Sequence, residues 1–452
     1  MVITRFLLQD LVKWKRAKDR KPLILNGVRQ CGKTWLLKEF GKKIFRSSLY
    51  FNFEKDARLA TFFGDDLAPK SIIQRLEAFT GTKIVPKETL LIFDEIQACP
   101  RALTSLKYFC EEAPEYFITA AGSLLGISLT EGTSFPVGKV QILYLSPCSF
   151  KEFLATTAPM LNEYIEKIPL EPIPEAFADI LGNYLREYLA FGGMPDPLST
   201  WIETRDVEKT EDKIDIVLRT YESDFSKHIP IYDTPKLYGI WNSIPAQFAR
   251  ENKRFFFNEV REGARAKDLE DALQWLLNAS MVYKVKMVNH PELPLRAYED
   301  RKIFKLYLAD VGVLRRLASL PSGPILNSQD VFTEFNGSLA ENYVLQQLQS
   351  MQISPICYWS NDTGKAEVDF LIQDNDRIVP IEVKSGTNVK AKSLRVYREK
   401  FKPALSVRTS MQNLRLDDGL LNIPLYLMGE FPRLMELAKG THATQMSHIG
   451  RD

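Results

Sequence analysis

Gly27-Val28-Arg29-Gln30-Cys31-Gly32-Lys33-Thr34 carries the most definite chemistry in the chain. Its two glycines let successive backbone N–H groups turn toward a phosphate, and a helix beginning at its end would point its positive dipole at the same charge. Gly27, Arg29, Gln30, Cys31 and Gly32 would cradle the phosphates, Lys33 would reach the β- and γ-phosphates, and Thr34 would hold Mg²⁺. The apolar run Leu23-Ile24-Leu25 before the loop and the amphipathic stretch Trp35 to Phe40 after it predict strand, loop and helix in that order. That is the context a nucleoside triphosphate site requires. The plainer alternative is a glycine turn that happens to precede a lysine.

A second motif, Leu90-Leu91-Ile92-Phe93-Asp94-Glu95, reads as an apolar strand ending in two carboxylates, the Walker B pattern. Asp94 would bind Mg²⁺ through water, and Glu95 would polarise the attacking water as general base. The pair favours hydrolysis over phosphoryl transfer to a metabolite; otherwise the two acids simply cap a strand. Ser48 to Glu54 reads as a strand between these motifs, with a helical stretch from Ile72 to Phe79. Tyr116 to Ala121 reads as a sensor strand that brings Ser123 near the γ-phosphate, and Val140 to Leu145 completes a five-strand parallel core. This is the layout of the additional-strand ATPases.

Near the other end, Glu367-Val368-Asp369-Phe370-Leu371-Ile372 and Arg377-Ile378-Val379-Pro380-Ile381-Glu382-Val383-Lys384 read as two strands joined by a turn at Gln373 to Asp376. Residues two apart share a face of a strand, so Glu382 and Lys384 project together. With the tight turn at Asp374-Asn375, Asp369 joins that face nearly opposite, an alignment that one residue of slip would undo. Asp followed by Glu-x-Lys is the active-site pattern of PD-(D/E)XK nucleases. There Asp369 and Glu382 would hold divalent ions that stabilise charge on the scissile phosphate, and Lys384 would orient or activate water. Glu341, in the helical stretch Gly337 to Leu345, supplies a fourth member. An ordinary surface ion-pair ladder remains the alternative. The basic run Lys390, Lys392, Arg395, Arg398, Lys400, Lys402 and Arg408 would bind backbone phosphates in a salt-dependent way, or is the solvated face of a helix.

The 452 residues should hold two to four domains, and 45% hydrophobic with 26% charged residues is ordinary for a globular chain. A net charge of +2 excludes a global polycation, so any nucleic-acid surface is a local patch. The five cysteines form no C-x-x-C pair, and the four histidines no visible catalytic set. Residues 1–20 do not read as a signal peptide, and no run of about 18 apolar residues is present, which points to a cytoplasmic protein without a membrane span.

The middle is less legible. Pro169, Pro172 and Pro174 break the chain before helical runs such as Ile180 to Phe191, and Gly192-Gly193-Met194-Pro195 is a sharp loop of unknown purpose. Ile240 to Arg250, Phe257 to Gly263, Lys267 to Leu277 and Met281 to Val288 suggest three helices and a strand, the order of a winged helix. Arg265 and Lys267 stand where such a module would contact DNA, although Glu270 and Asp271 favour a docking role. The expected domains are an AAA-type P-loop ATPase at 1–160, a helical lid packed on it at 161–235, a winged-helix-like domain at 236–295, an α/β restriction-endonuclease-like domain at 296–435 and a tail at 436–452 that reads as disordered after Gly440.

Taken together, the chain resembles a large family of bacterial and archaeal ATPases that join an AAA-type domain to a C-terminal PD-(D/E)XK nuclease-like domain. The likeness rests on Gly27 to Thr34, Leu91 to Gln97, Thr119 to Ser123, Gly192 to Pro195, Lys305 to Gly312, Glu367 to Phe370 and Ile381 to Lys384. It implies ATP and Mg²⁺ as cofactors, with Lys33 and Thr34 as contacts and Asp94 and Glu95 as the hydrolytic pair. One departure is Gly138-Lys139 where the family places Gly-Arg; Lys139 lacks the planar fork of an arginine finger, and Arg101 or Arg186 are the substitutes. The function expected is an ATPase whose nucleotide state controls a DNA-acting nuclease-like domain, the alternative being a signalling switch that binds DNA or protein without cleaving. A small-molecule kinase is disfavoured by Glu95. The sequence leaves open homo-oligomerisation and the nature of the partner.

Overall fold

The computed structural model describes the chain apart from Met1, Asp65, residues 123–134, 228–232, 251–252 and 328–333, Asp362, and residues 387–391 and 450–452; side chains at Lys227, 334–336 and 441–449 are likewise outside the description. The chain divides into two compact units. One is Arg5–Ser146 with Asn278–Met281; the other is Met1–Thr4, Pro147–Leu277 and Val282–Asp452.

The first unit is built on five parallel strands, β1 (Leu23–Asn26), β2 (Ser47–Asn52), β3 (Thr89–Asp94), β4 (Phe117–Ala121) and β5 (Gln141–Tyr144). Their order is β2-β3-β4-β1-β5. Every residue of β1, β3 and β4 is buried, which is why these strands read as unbroken apolar runs rather than alternating ones. Helices Lys33–Ile44, Pro69–Thr80 and Pro100–Glu112 supply apolar faces; Ile72, Leu76, Leu103 and Leu106 pack with Leu91 and Phe93 in one core. The strand standing between the P-loop strand and the Walker B strand in space is β4, while β2, which lies between them in sequence, pairs only with β3. The carboxyl end of β1 therefore opens beside those of β4 and β3, where ligands of open α/β sheets bind.

The second unit has an eight-stranded sheet. Its strands are β6 (Val282–Val288), β7 (Glu299–Leu308), β8 (Ile356–Ser360), β9 (Glu367–Asp374), β10 (Arg377–Val383), β11 (Ser406–Ser410), β12 (Arg415–Asp417) and β13 (Leu420–Pro424), in the order β12-β13-β11-β10-β9-β8-β6-β7. Helix Glu334–Ser350 leads into the antiparallel meander β8-β9-β10, and helix Lys392–Phe401 crosses to β11, which runs parallel to β10. A parallel neighbour needs such a crossover.

Three expectations change. The 161–235 and 296–435 segments, and 236–295 apart from Asn278–Met281, share this one unit, so the helices of the expected lid, Glu175–Phe191, Pro195–Thr204 and Val207–Lys227, belong with the large sheet. In the region expected to be a winged helix, Phe257 to Gly263 forms only the short 3₁₀ turn Phe257–Glu259. Phe255 N–H donates to Phe304 O and the two rings stack, which holds the chain just before that turn extended. The β6–β7 hairpin does follow helix Ala266–Asn278, but β6 pairs in parallel with β8 and extends the sheet instead of forming a separate wing. Finally, helix Phe431–Ile449 continues through the expected tail, so no boundary falls at 436.

The structure also explains the Gly192-Gly193 loop. Asp310, buried at the start of helix Val311–Leu317, accepts hydrogen bonds from Gly193 N–H (2.6 Å), Gln346 Nε2 (2.9 Å), Gly312 N–H (3.0 Å) and Val313 N–H (3.1 Å). Gly192 has φ +75°, and a Cβ there would stand 2.0 Å from Asp310 Oδ1. Two motifs more than 100 residues apart are thus halves of one knot.

Candidate functional sites

In the first unit the P-loop folds as expected. Gly27 has φ +146°, and a Cβ would meet Leu145 O at 2.1 Å; Gly32, with φ +92°, caps helix Lys33–Ile44. Lys33 Nζ donates to the carbonyls of Gly27 (2.7 Å) and Val28 (2.9 Å), curled over the loop. Thr34 Oγ1 donates to both oxygens of Asp94, at 3.2 and 3.0 Å. A hydroxyl facing a strand-end carboxylate is the donor set a Mg²⁺ ion takes in a nucleotide site, so these residues fit that ion.

Several supporting residues escaped the sequence reading. Arg5 Nη1 donates to Cys31 O (3.2 Å) and Arg5 Nη2 to Ser146 O (2.5 Å), bracing the loop from below. Tyr50 OH donates to Asp94 Oδ2 (2.6 Å), and burial together with that bond pushes the phenol up to about 12. Glu95 follows β3 in a left-handed conformation with φ 51°, and Gln97 Nε2 donates to its Oε2 at 2.5 Å. Gln97 in turn abuts Gly122 at the end of β4, where a Cβ would come within 2.4 Å of Gln97 Oε1. Ser123 lies outside the described residues. Of the finger candidates, Lys139 is ion-paired with Glu111 at 2.8 Å, Arg101 donates to the carbonyls of Phe63 and Gly64, and Arg186 donates to Asn183.

In the second unit Glu341, Asp369, Glu382 and Lys384 are brought together. Pairing of Asp374 with Arg377 places the turn at Asn375-Asp376, one residue later than expected, with φ 54° at Asn375. That moves the register by two, which keeps the faces, and the ladder that ends at Ile381 and Phe370 sets Asp369 directly across from Glu382. Asp369 Oδ2 accepts from Val383 N–H (2.7 Å), Lys384 Nζ lies 2.6 Å from Glu382 Oε1, and Glu382 Oε2 is buried without a hydrogen-bond partner.

Glu341 is held by residues to which the sequence assigned no role. Lys253 forms an ion pair with its Oε1, Tyr307 OH donates to its Oε2 (3.3 Å), and Lys305 Nζ lies 3.9 Å away. Lys305, fully buried, also sits 2.5 Å from Glu367 Oε1. Lys253 carries no sequence signal, whereas Lys305 and Tyr307 open the Lys305 to Gly312 motif and share one face of β7. Burial alone would raise Glu341; Lys253 and Lys305 outweigh it and bring the carboxyl to about 2. Asp369 goes the other way, raised by burial and then by the charges of Glu341 and Glu382. Environments that push neighbouring carboxyls apart are a mark of functional sites, although structural networks do the same.

For a divalent ion, the orphaned Glu382 Oε2 and the opposed Asp369 are suitable donors, so the pair fits. Glu341 is committed to lysines, and among the described residues no three His, Cys, Asp or Glu side chains converge as a metal cage.

The raised Asp369 has a consequence for stability. Its folded pKa lies above the unfolded one, so its contribution is held at low pH and lost as pH rises through the folded value. Asp369→Asn, which keeps the Val383 bond, is expected to melt higher than wild type near pH 8 by at least ~1 kcal/mol, with the gap closing toward about pH 4. Thermal melts across that range check it; a gap independent of pH would remove the assignment.

Residues 19–154 match the family model of an AAA domain. The N-terminal domain is of the AAA ATPase type. Residues 182–323 and 336–428 match two domains of unknown function, DUF8612 and DUF4143. An uncharacterized protein of Methanocaldococcus jannaschii is 24% identical over 413 residues, covering 89% of this chain and 81% of its own. Among solved structures, a Walker-type ATPase of Pyrococcus abyssi is 13% identical with a TM-score of 0.43, over 70% of this chain and 96% of that one. The Aeropyrum pernix Orc1 protein, solved in complex with DNA, is 14% identical with a TM-score of 0.30, over 71% and 93%. Among the described residues no helix is long and apolar enough to cross a membrane.

Proposed function

We propose that the AAA-type domain hydrolyses ATP and that its nucleotide state governs a metal-dependent, DNA-acting acid cluster in the C-terminal unit. The observation that carries the second half is the assembly of three buried carboxylates, Glu341, Asp369 and Glu382, from one helix and two strands, with the half-buried Lys384 just past the end of β10. The order helix, three-strand meander, crossover helix, parallel strand supports a nuclease-like core for the same unit.

In the ATP site, Lys33 would leave the Gly27 and Val28 carbonyls for the phosphates, Thr34 and Asp94 would hold Mg²⁺, and Glu95, aimed by Gln97, would take the proton of the attacking water. In the acid cluster, Asp369 and Glu382 would hold a divalent ion, which when bound stabilises charge on a scissile phosphate. Lys384 is held charged: burial opposes this, but Glu382 and Asp369 raise its pKa, so it orients water or phosphate rather than accepting a proton. Helix Lys392–Phe401 presents Lys392, Arg395 and Lys400 on its exposed face, which supports a DNA backbone as partner.

One feature favours the second reading, a domain that binds without cleaving. Lys253 and Lys305 already neutralise the cluster, as buried carboxylates require when no metal does so.

The test is cleavage of linear, circular and single-stranded DNA with Mg²⁺ or Mn²⁺, with and without ATP. Cleavage should fall by about 10²-fold or more in the Asp369→Ala, Glu382→Ala double variant while ATP hydrolysis persists. A wild-type protein that hydrolyses ATP and cuts none of these substrates under either metal gives the second reading.

A further inference from the structure

The large sheet carries one polar row across four strands. Glu382 on β10 is in register with Arg408 on β11, Arg408 with Asn422 on β13, and Asn422 with Arg415 on β12. Registered neighbours project to the same face, so the row runs from the acid cluster to the sheet edge. At that edge opens a cavity of about 480 Å³ whose lining includes three arginines, Arg398, Arg408 and Arg415, two carboxylates, Asp417 and Asp418, and the amides around Asn422. The volume is within the range of small-molecule sites.

Three arginines from three elements meet there, and they are not equivalent. Arg415 Nη2 is 2.9 Å from Asp417 Oδ2, and Arg398 Nη2 is 3.7 Å from Asp418 Oδ2, so the rim acids compensate both. Arg408 instead donates from Nε to Asn422 Oδ1 (3.0 Å) and from Nη2 to Gln412 Oε1 (3.0 Å), both neutral amides. The carboxylate beside it in the row, Glu382, is engaged by Lys384 at 2.6 Å. No described residue accepts a hydrogen bond from Arg408 Nη1.

The amides that hold Arg408 are themselves fixed. Asn422 Nδ2 donates to the carbonyls of Gln412 and Asn413, both at 2.9 Å, which turns its oxygen toward Arg408, and Ser410 Oγ lies 3.1 Å from that oxygen. The result is a guanidinium clamped on one side that lines the cavity, its nearest carboxylate, Glu382, being shared with Lys384. A planar fork of this kind matches the paired oxygens of a phosphate, and a charge-assisted pair gains strength where water is partly excluded.

We propose that this cavity is an anion site that binds a phosphate group, with Arg408 as the principal contact and Arg415 as a rim contact. The group belongs either to a free phosphomonoester or to a nucleic-acid strand. The site is distinct from the P-loop and does not depend on metal or cleavage at the acid cluster.

The experiment is isothermal titration of the full chain carrying Lys33→Ala, which silences the P-loop, with inorganic phosphate in one arm and an unphosphorylated single-stranded hexanucleotide in the other. At least one arm should show binding that Arg408→Gln weakens about tenfold or more, the loss expected for one charge-assisted pair. Inorganic phosphate binding that depends on Arg408 identifies a phosphomonoester; dependence in the hexanucleotide arm alone identifies a strand. Binding in neither arm, or binding unchanged by Arg408→Gln, overturns the proposal. Because Arg408 is woven into the sheet, Arg415→Glu on the exposed rim gives an independent check: charge reversal should weaken the same binding at least ~3-fold, and unaltered affinity there also overturns it.

Discussion

Glu95→Gln is expected to lower the rate of ATP hydrolysis by about 10² to 10⁴-fold while leaving ATP affinity within a few-fold of wild type. On the proposed reading Lys33, Thr34 and Asp94 would touch phosphate and Mg²⁺, and none of their side chains hydrogen-bonds to the Glu95 carboxylate. Glu95 stands one residue past the strand end in a left-handed conformation, a backbone form that non-glycine residues adopt uncommonly. Its carboxylate is fixed by Gln97, which rests against the end of β4. Glutamine has the same shape and keeps a hydrogen-bonding partner for Gln97, but it cannot take a proton from water. Phosphate release and nucleotide binding measured on the same preparation separate the two effects. A variant that turns over at the wild-type rate would show that water is activated elsewhere.

The largest stability effect is expected at Asp310. Asp310→Ala removes the acceptor of three backbone N–H groups and one amide, all buried, and each orphaned donor costs about 1–3 kcal/mol. The loss should be at least ~4 kcal/mol, large against the whole stability of an ordinary domain. Gly192→Ala attacks the same knot from the other side, since its backbone has φ +75° and its new methyl would overlap Asp310 Oδ1. Denaturant unfolding followed by signals specific to each unit checks both variants: the C-terminal unit should lose cooperativity while ATP binding in the first unit persists. An Asp310→Ala protein within about 1 kcal/mol of wild type would mean that the knot is not structural.

The parts legible in sequence were those whose physics is local. A glycine loop between an apolar strand and a helix is recognisable because the phosphate cradle is contiguous backbone, and β1, the loop and helix Lys33–Ile44 follow it. The hairpin β9–β10 was legible from alternation and turn residues, and a turn misplaced by one residue left the faces unchanged because the register moved by two. Phe257 to Gly263 misled because its apolar spacing suits a helix, whereas Phe255 is drawn into pairing and stacking with Phe304, almost fifty residues away. Tertiary pairing overrode a weak local preference.

The sequence by itself pointed to an AAA-type nucleotide domain, to the strand-end carboxylates Asp94 and Glu95, and to the four members of the acid cluster. Only the tertiary structure decided what surrounds them. Lys253, from a segment with no motif, and Lys305, at the head of the Lys305 to Gly312 motif, neutralise Glu341, Gln97 hydrogen-bonds Glu95, Asp310 ties two glycine motifs into one knot, and Arg408 lines a cavity beside a carboxylate that Lys384 already engages. The reason is that charge compensation and burial depend on distance in space. A lysine eighty-eight residues before a glutamate carries no sign in the sequence that the two will meet away from water.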